Sequence, residues 1–252
     1  MPLAGRRVVI TRPSGQAENL ARLVREAGGE PLCIPAIEIL PLADPAPFHA
    51  LAGRLGAFDL AIFVSRNAVR SALELLGDKP WPTALKVATV GQGSREELEK
   101  RGFANVIAPA AQSDSEALLA LPELAAVRSC RIVIFRGDGG RQLLGETLEK
   151  RGASVEYAAC YRRVQPSRGA ALRDDLAAGV DAVTVSSAEG LGNFLQMLGG
   201  GEARRLAGIP FFVPHPRVAE AAAQWGLARV IIAGPRDAEM VAALVAYFGG
   251  AR

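Results

Sequence analysis

Apolar residues fall into short unbroken runs along the chain: VVI from Val8, AIFV from Ala61, VATV from Val87, IVIF from Ile132, AVTV from Ala182 and FFV from Phe211. Each run is bounded by turn residues and is too short for a helix. Each therefore predicts a strand buried on both faces, as in a parallel sheet. Gly, Ser, Pro or Asn follows each run, and then apolar residues return at helical spacing, as at Leu20, Leu23, Val24 and Ala27. Gly28, Gly102, Gly152 and Gly226 stand where four of these helices end, a position that favours a left-handed residue. The repeated βα order predicts an α/β protein with right-handed crossovers and helices on both sheet faces.

The pattern also repeats on a longer scale. RVVITRPSG from Arg7 is matched by RIVIFRGDGG from Arg131. LAIFVSRNAV from Leu60 is matched by AVTVSSAEGL from Ala182, and LKVATVGQGS from Leu85 by IPFFVPHPRV from Ile209. The separations are roughly 124, 121 and 124 residues, and a near-constant offset over three units argues for internal duplication.

Composition narrows the class. The chain has 252 residues, half of them hydrophobic and 22% charged, which supports a packed core in one large domain or two small ones. The longest apolar stretches fall far below the roughly 20 residues that cross a bilayer, and the first run, VVI, is no signal-peptide core. Cys33, Cys130 and Cys160 are odd in number, and Cys33 and Cys160 lie in apolar runs, so they read as buried reduced thiols of a cytoplasmic protein. His49 and His215 are the only histidines, and no Cys/His cluster has metal-ligand spacing. His49, after Pro45 and Pro47, reads as a solvated loop residue. A net charge of +3 is too mild for a nucleic-acid binder. Arginine greatly outnumbers lysine, which fits either high-GC coding or a carboxylated or phosphorylated ligand gripped by forked guanidinium groups.

Two motif readings fail on spacing. Gly137-Asp138-Gly139-Gly140-Arg141-Gln142 has Gln where a dinucleotide fingerprint needs its third glycine, and Glu156 precedes the usual place of the ribose-binding acid. No Walker loop and no nucleophile elbow occur. What remains is six strand-to-helix turns, whose unpaired N–H groups attract anions. They are Arg12-Pro13-Ser14-Gly15, Ser65-Arg66-Asn67, Gly91-Gln92-Gly93-Ser94, Arg136 to Arg141, Ser186-Ser187-Ala188 and Pro214-His215-Pro216-Arg217. Six turns suit a ligand with many anionic groups better than one dinucleotide.

The ordered phrases VVITRP (8–13), PAIEI (35–39), FDLAIFVSRNAV (58–69), VATVGQGS (87–94), IVIFRGDGGRQLLGETLEKRGASVEYAACYRR (132–163), VTVSSAEGLGNF (183–194) and VPHPRVAEAA (213–222) resemble the uroporphyrinogen-III synthase family. They span nearly the whole chain, and their order and spacing carry the match. The resemblance implies two flavodoxin-like α/β domains, each a parallel sheet flanked by helices, joined by a two-strand connector. It puts residues 1–37 and 167–252 in a discontinuous first domain and 38–166 in the second, with the site in the cleft between them. Pro35, Pro41, Pro45, Pro47 and Pro166 then suit extended connectors. The two crossings are equivalent in the duplication, Ile37 matching Tyr161.

The implied reaction is cyclisation of hydroxymethylbilane, a linear tetrapyrrole with eight carboxylates, to uroporphyrinogen III. Water leaves, the last ring is inverted through a spiro intermediate, and no cofactor or metal is required. Positioning dominates such catalysis. The resemblance assigns Tyr161 as the acid that helps the hydroxyl leave, although a strand tyrosine alone reads as packing. It places substrate contacts at Arg12, Ser65, Arg66, Asn67, Gly91, Gln92, Ser94, Arg136, Gly137, Gly140, Arg141, Ser186, Ser187, Ala188, Pro214, His215 and Arg217. Ser65, Ser94, Ser186 and Ser187 read equally as helix N-caps, the glycines as tight turns and the arginines as surface. Cys160, beside Tyr161, is expected on the opposite strand face. Expected partners are the polycarboxylate tetrapyrrole and a transient hand-over from hydroxymethylbilane synthase, with no nucleic acid, no membrane and a monomeric state. Two rivals stay open: a non-catalytic two-domain binding protein for an anionic small molecule, and a nucleotide-dependent enzyme using residues 137–141.

Overall fold

The six apolar runs all form strands, and two five-stranded sheets result. The structure, a computed structural model, describes residues 1–110, 114–140, 142–167, 176, 179–206 and 208–249, the side chains of 202–205 excepted. The chain divides into two compact units, Met1–Glu38 with Val164–Arg252, and Ile39–Arg163.

In the first unit, β1 (Arg7–Ile10) lies between β2 (Glu30–Cys33) and β8 (Ala182–Thr184), and β9 (Phe211–Val213) and β10 (Val230–Ile232) complete the sheet. The order β2-β1-β8-β9-β10 is that of a flavodoxin-like sheet, and its pairs are parallel. Helices α1 (Glu18–Glu26), α8 (Ala188–Leu206, broken at Gly199), α9 (Pro216–Gln224) and α10 (Asp237–Gly249) belong to this unit. Val8, Val9 and Ile10 are fully buried because helices cover both faces of their strand.

The second unit has the order β3-β7-β6-β4-β5, from β3 (Glu38–Leu40), β4 (Leu60–Phe63), β5 (Lys86–Thr89), β6 (Arg131–Gly137) and β7 (Ser154–Val164). Its helices are α2 (Ala46–Ala52), α3 (Arg66–Leu76), α4 (Gln92–Glu99), α5 (Ser115–Leu119), α6 (Pro122–Ala125) and α7 (Leu143–Lys150). Phe63 and Phe135 face each other in register and stack with centroids 4.7 Å apart. Such a cross-strand pair adds roughly 0.5–1.5 kcal/mol beyond burial, and here it fixes the ends of β4 and β6 against each other.

The duplication is visible in the register. Arg7 pairs with Glu30 and its copy Arg131 with Ser154. Val8 pairs with Ala182, and Ile132 with Leu60. Phe212 pairs with Ile231, and the copy of that contact is the parallel bridge between Ala88 and Ile107. Each sheet thus combines β1-like, β4-like and β5-like strands drawn from both halves of the sequence.

Four expectations need correction. Cys33 is exposed, because β2 is an edge strand and Cys33 is its last residue. Pro45 and Pro47 open helix α2 instead of extending a connector, since proline is compatible with a first turn; Asp44 Oδ1 accepts from Ala46 N at 2.9 Å. His49 is therefore helical, though exposed as expected. Cys160 and Tyr161 share one buried cluster, because the β6–β7 register slips between Arg136 and Gly137 and breaks the alternation there.

Candidate active site

β6 and β4 meet where the strand order of the second sheet reverses, the place where ligands collect beyond the carboxyl ends of such sheets. Gly137 ends β6, Ser65 follows β4, and Tyr161 reaches them from β7. The Tyr161 hydroxyl lies 3.2 Å from Ser65 Oγ, and either oxygen can donate. Ser65 is the N-cap of α3 and accepts from Ala68 N at 3.1 Å, which holds it in one rotamer. The Tyr161 ring lies directly over Gly137: a Cβ there would sit 2.9 Å from Cε2 and 3.1 Å from Cζ. Gly137 therefore leaves room for the phenol. Tyr161 is only 4% exposed, so its ring is fixed by packing. The slip that brings Tyr161 opposite Gly137 leaves Cys160 Sγ donating to Arg136 O at 3.1 Å, and burial pushes the Cys160 thiol up to about 12.

The turn after β6 is laced to the end of β7. Asp138 N donates to Tyr161 O at 2.9 Å, and Arg163 N donates to Asp138 Oδ1 at 3.1 Å. Gly139 and Gly140 adopt φ of 126° and 106°, so the chain turns back over Arg136, whose Nε donates to Gly139 O at 2.9 Å. The Arg136 guanidinium also lies over the Tyr157 ring, 4.8 Å from its centroid. Burial raises the Tyr157 phenol above its ordinary value, with Arg136 opposing the shift. Tyr157 and Arg163 escaped the sequence reading; Arg163 was legible as the residue two after Tyr161 on the same strand.

Beside this cluster lies the start of α4. Gly91 is its N-cap without a side-chain cap, and Ser94 is buried in the first turn, so Ser94 is not the cap. Gln92 Nε2 donates to Pro109 O at 2.6 Å. The Arg66 guanidinium lies on Gly93, where a Cβ would sit 2.5 Å from Nε. Arg66 is exposed and makes no ion pair among the described residues, so a cation and an open helix start stand together. Asn67 is half-buried in the first turn of α3.

The predicted residues of the first unit fare unevenly. The Arg12–Gly15 turn is not a helix start: α1 begins only at Glu18, whose acid disfavours anions there. Arg12 itself pairs with Asp237 at 2.5 Å, both side chains 16% exposed, so its charge is already met. Ser187 Oγ caps α8 by accepting from Gly190 N, while Ser186 is exposed and does not cap. Ala188 is the first residue of α8. His215 caps α9, its Nδ1 accepting from Arg217 N at 3.2 Å, with half-buried Pro214 before it. Arg141 lies outside the described residues.

Glu156, a candidate ribose-binding acid, is held by both terminal nitrogens of Arg54, which lowers its carboxyl below the usual range. Among the described residues no cluster of three or more His, Cys, Asp or Glu is placed to hold a metal, and no helix is long and apolar enough to cross a membrane.

The family model described as "Uroporphyrinogen-III synthase HemD" matches residues 18–242. The uroporphyrinogen-III synthase of Proteus mirabilis is 33% identical over 159 residues, covering 62% of this chain and 80% of that protein. That of Escherichia coli is 34% identical over 158 residues, covering 62% of this chain and 64% of its own length. Among solved structures, a mutant uroporphyrinogen III synthase from the extremely thermophilic bacterium Thermus thermophilus superposes with a TM-score of 0.65 at 18% identity, covering 95% of this chain and 97% of that one. The Helicobacter pylori uroporphyrinogen-III synthetase gives 0.65 at 15% identity, covering 96% and 99%. At those identities the structural likeness speaks for the fold.

Proposed function

The chain belongs to the uroporphyrinogen-III synthase family, and from that premise we propose that it closes hydroxymethylbilane to uroporphyrinogen III as a cytoplasmic hydro-lyase. The observation that carries the chemical reading is the Tyr161 hydroxyl 3.2 Å from Ser65 Oγ at the switch point of the second sheet. Ser65 donates to the Tyr161 oxygen, which leaves the phenol proton for the departing hydroxyl of the substrate. Loss of water yields an azafulvene cation. Attack on it by the substituted carbon of the last ring gives the spiro intermediate, whose fragmentation and reclosure invert that ring.

Without enzyme the bilane closes to the unrotated isomer I, so the protein's main work is to hold the chain in the spiro-forming geometry. The open start of α4 with Arg66, and the Arg136–Gly140 turn, supply cationic and N–H groups for the carboxylate arms. Ser187, His215 and Arg217 offer further polar contacts in the first unit. The bilane is handed over transiently from hydroxymethylbilane synthase. A purely binding role is not favoured by the family match.

The test supplies hydroxymethylbilane to the purified protein, oxidises the products and resolves isomers III and I. Isomer III above the spontaneous background is expected. Tyr161→Phe should slow its formation by about 10²-fold with the fold intact. An unchanged rate and isomer ratio in that variant removes Tyr161 from the chemistry.

A further inference from the structure

We propose that Arg136 and Arg163 together clamp one carboxylate arm of the polyacidic substrate over the open face of Gly140. This rests on the activity proposed above and adds to it Arg163, a residue outside the turns that the sequence singled out.

Arg136 is only 8% exposed, yet it has no carboxylate partner among the described residues; its contacts are the Gly139 carbonyl and the Tyr157 ring. A guanidinium so far removed from water is costly unless an anion meets it. The duplication supplies an internal control. Arg12 stands at the equivalent place in the first unit, and there Asp237 meets the charge at 2.5 Å. In the second unit no carboxylate among the described residues meets Arg136.

Arg163 reaches the same point from β7. A Cβ on Gly140 would lie 3.0 Å from Arg136 Nη2 and 3.1 Å from Arg163 Nη2, so two cations border one small space. A carboxylate placed at that point accepts from both forks. Gly140, at φ 106°, leaves the point without a side chain of its own. Asp138, the charged neighbour in the turn, is exposed, and its Oδ1 accepts the backbone N–H of Arg163, which pins the strand end carrying the second guanidinium. The clamp belongs to the same turn whose Gly137 carries the Tyr161 ring, so an arm held here fixes one part of the bilane beside the phenol.

The experiment compares wild type with Arg163→Gln and Arg163→Lys. It reads the KM for hydroxymethylbilane and, separately, the Kd of uroporphyrin III, an octacarboxylate that is not turned over. The clamp requires KM and Kd to rise about tenfold in Arg163→Gln, with a smaller effect on kcat and partial recovery in Arg163→Lys. The rise should shrink as ionic strength is raised. Unchanged KM and Kd in Arg163→Gln, with wild-type melting, overturn the clamp and leave the proposed activity standing. Wild-type protein that makes no isomer III overturns the activity, and the uroporphyrin Kd series then decides the clamp by itself.

Discussion

Gly137→Ala isolates the contact on which the chemical reading depends. Gly137 is buried at the end of β6 and does not have a positive φ, so alanine there is resisted by its neighbour and not by backbone strain. The new Cβ would sit 2.9, 3.1 and 3.4 Å from Cε2, Cζ and Oη of Tyr161. Carbon atoms pack at about 3.5–4.0 Å, so the ring must withdraw by roughly 0.6 Å or more. Tyr161 is 4% exposed inside a packed cluster and has little space to withdraw into. Overpacking of this kind costs about 1–3 kcal/mol. The 3.2 Å contact with Ser65 is already long, and a further shift of that size breaks it.

Urea unfolding should therefore show a loss of about 1–3 kcal/mol, and kcat for the bilane should fall toward that of Tyr161→Phe. The decisive comparison is the double variant. Added to Tyr161→Phe, Gly137→Ala should cost no further kcat, because the hydroxyl it displaces is already gone. Wild-type kcat in Gly137→Ala, or an additive loss in the double variant, refutes the claim that this glycine serves the phenol.

Ser65→Ala removes both the α3 cap and the Tyr161 partner; a stability loss of about 1 kcal/mol should accompany a reduced kcat, and an undiminished kcat would leave Ser65 with capping alone. Arg12→Ala should destabilise the fold, and Asp237→Asn added to it should restore part of the loss, since the acid left without its cation is then neutral; a rise in KM with unchanged stability would return Arg12 to the substrate. Cys160, raised from about 9 in the unfolded chain to about 12 in the fold, stabilises fully below pH 9. Above pH 9 the unfolded thiol ionises while the folded one does not, so stability should fall by roughly 1.4 kcal/mol per pH unit up to pH 12. Cys160→Ala should lose that component of the alkaline slope, as measured by urea unfolding between pH 8 and 11.

Whatever depends on local pattern is legible in the chain. VVI, AIFV and FFV are strands because unbroken apolar runs suit a sheet covered on both faces, and Gly28, Gly102, Gly152 and Gly226 all take the positive φ expected at helix ends. What escapes depends on pairing between distant segments. Asp237 neutralises Arg12 across more than two hundred residues, and no spacing rule announces it. Strict alternation sets Cys160 on the face opposite Tyr161, and it fails where β6 and β7 slip by one residue. Pro45 and Pro47 read as extended connector because proline alone does not distinguish a first helical turn from extended chain.

The duplication turns this limit into an argument about where chemistry can reside. The register shows the two sheets built on one plan, so each position has a counterpart tested under the same backbone constraints. Ser65 and Ser187 both cap the helix that follows the equivalent strand. Beside Ser65 stands the phenol of Tyr161; beside the first turn of α8 stands Ile37, whose Cδ1 would be 3.7 Å from a Cβ on Gly190. Ile37 is buried and offers no proton, so the same fold position carries an alkyl group in one copy and a hydroxyl in the other. The arginines diverge in the same sense, Arg12 met by Asp237 and Arg136, among the described residues, by the Gly139 carbonyl and the Tyr157 ring. A fold requirement would have preserved both pairs alike. Their one-sided divergence is what the proposed closure would leave, with both ends of the bilane brought to one phenol in the second unit.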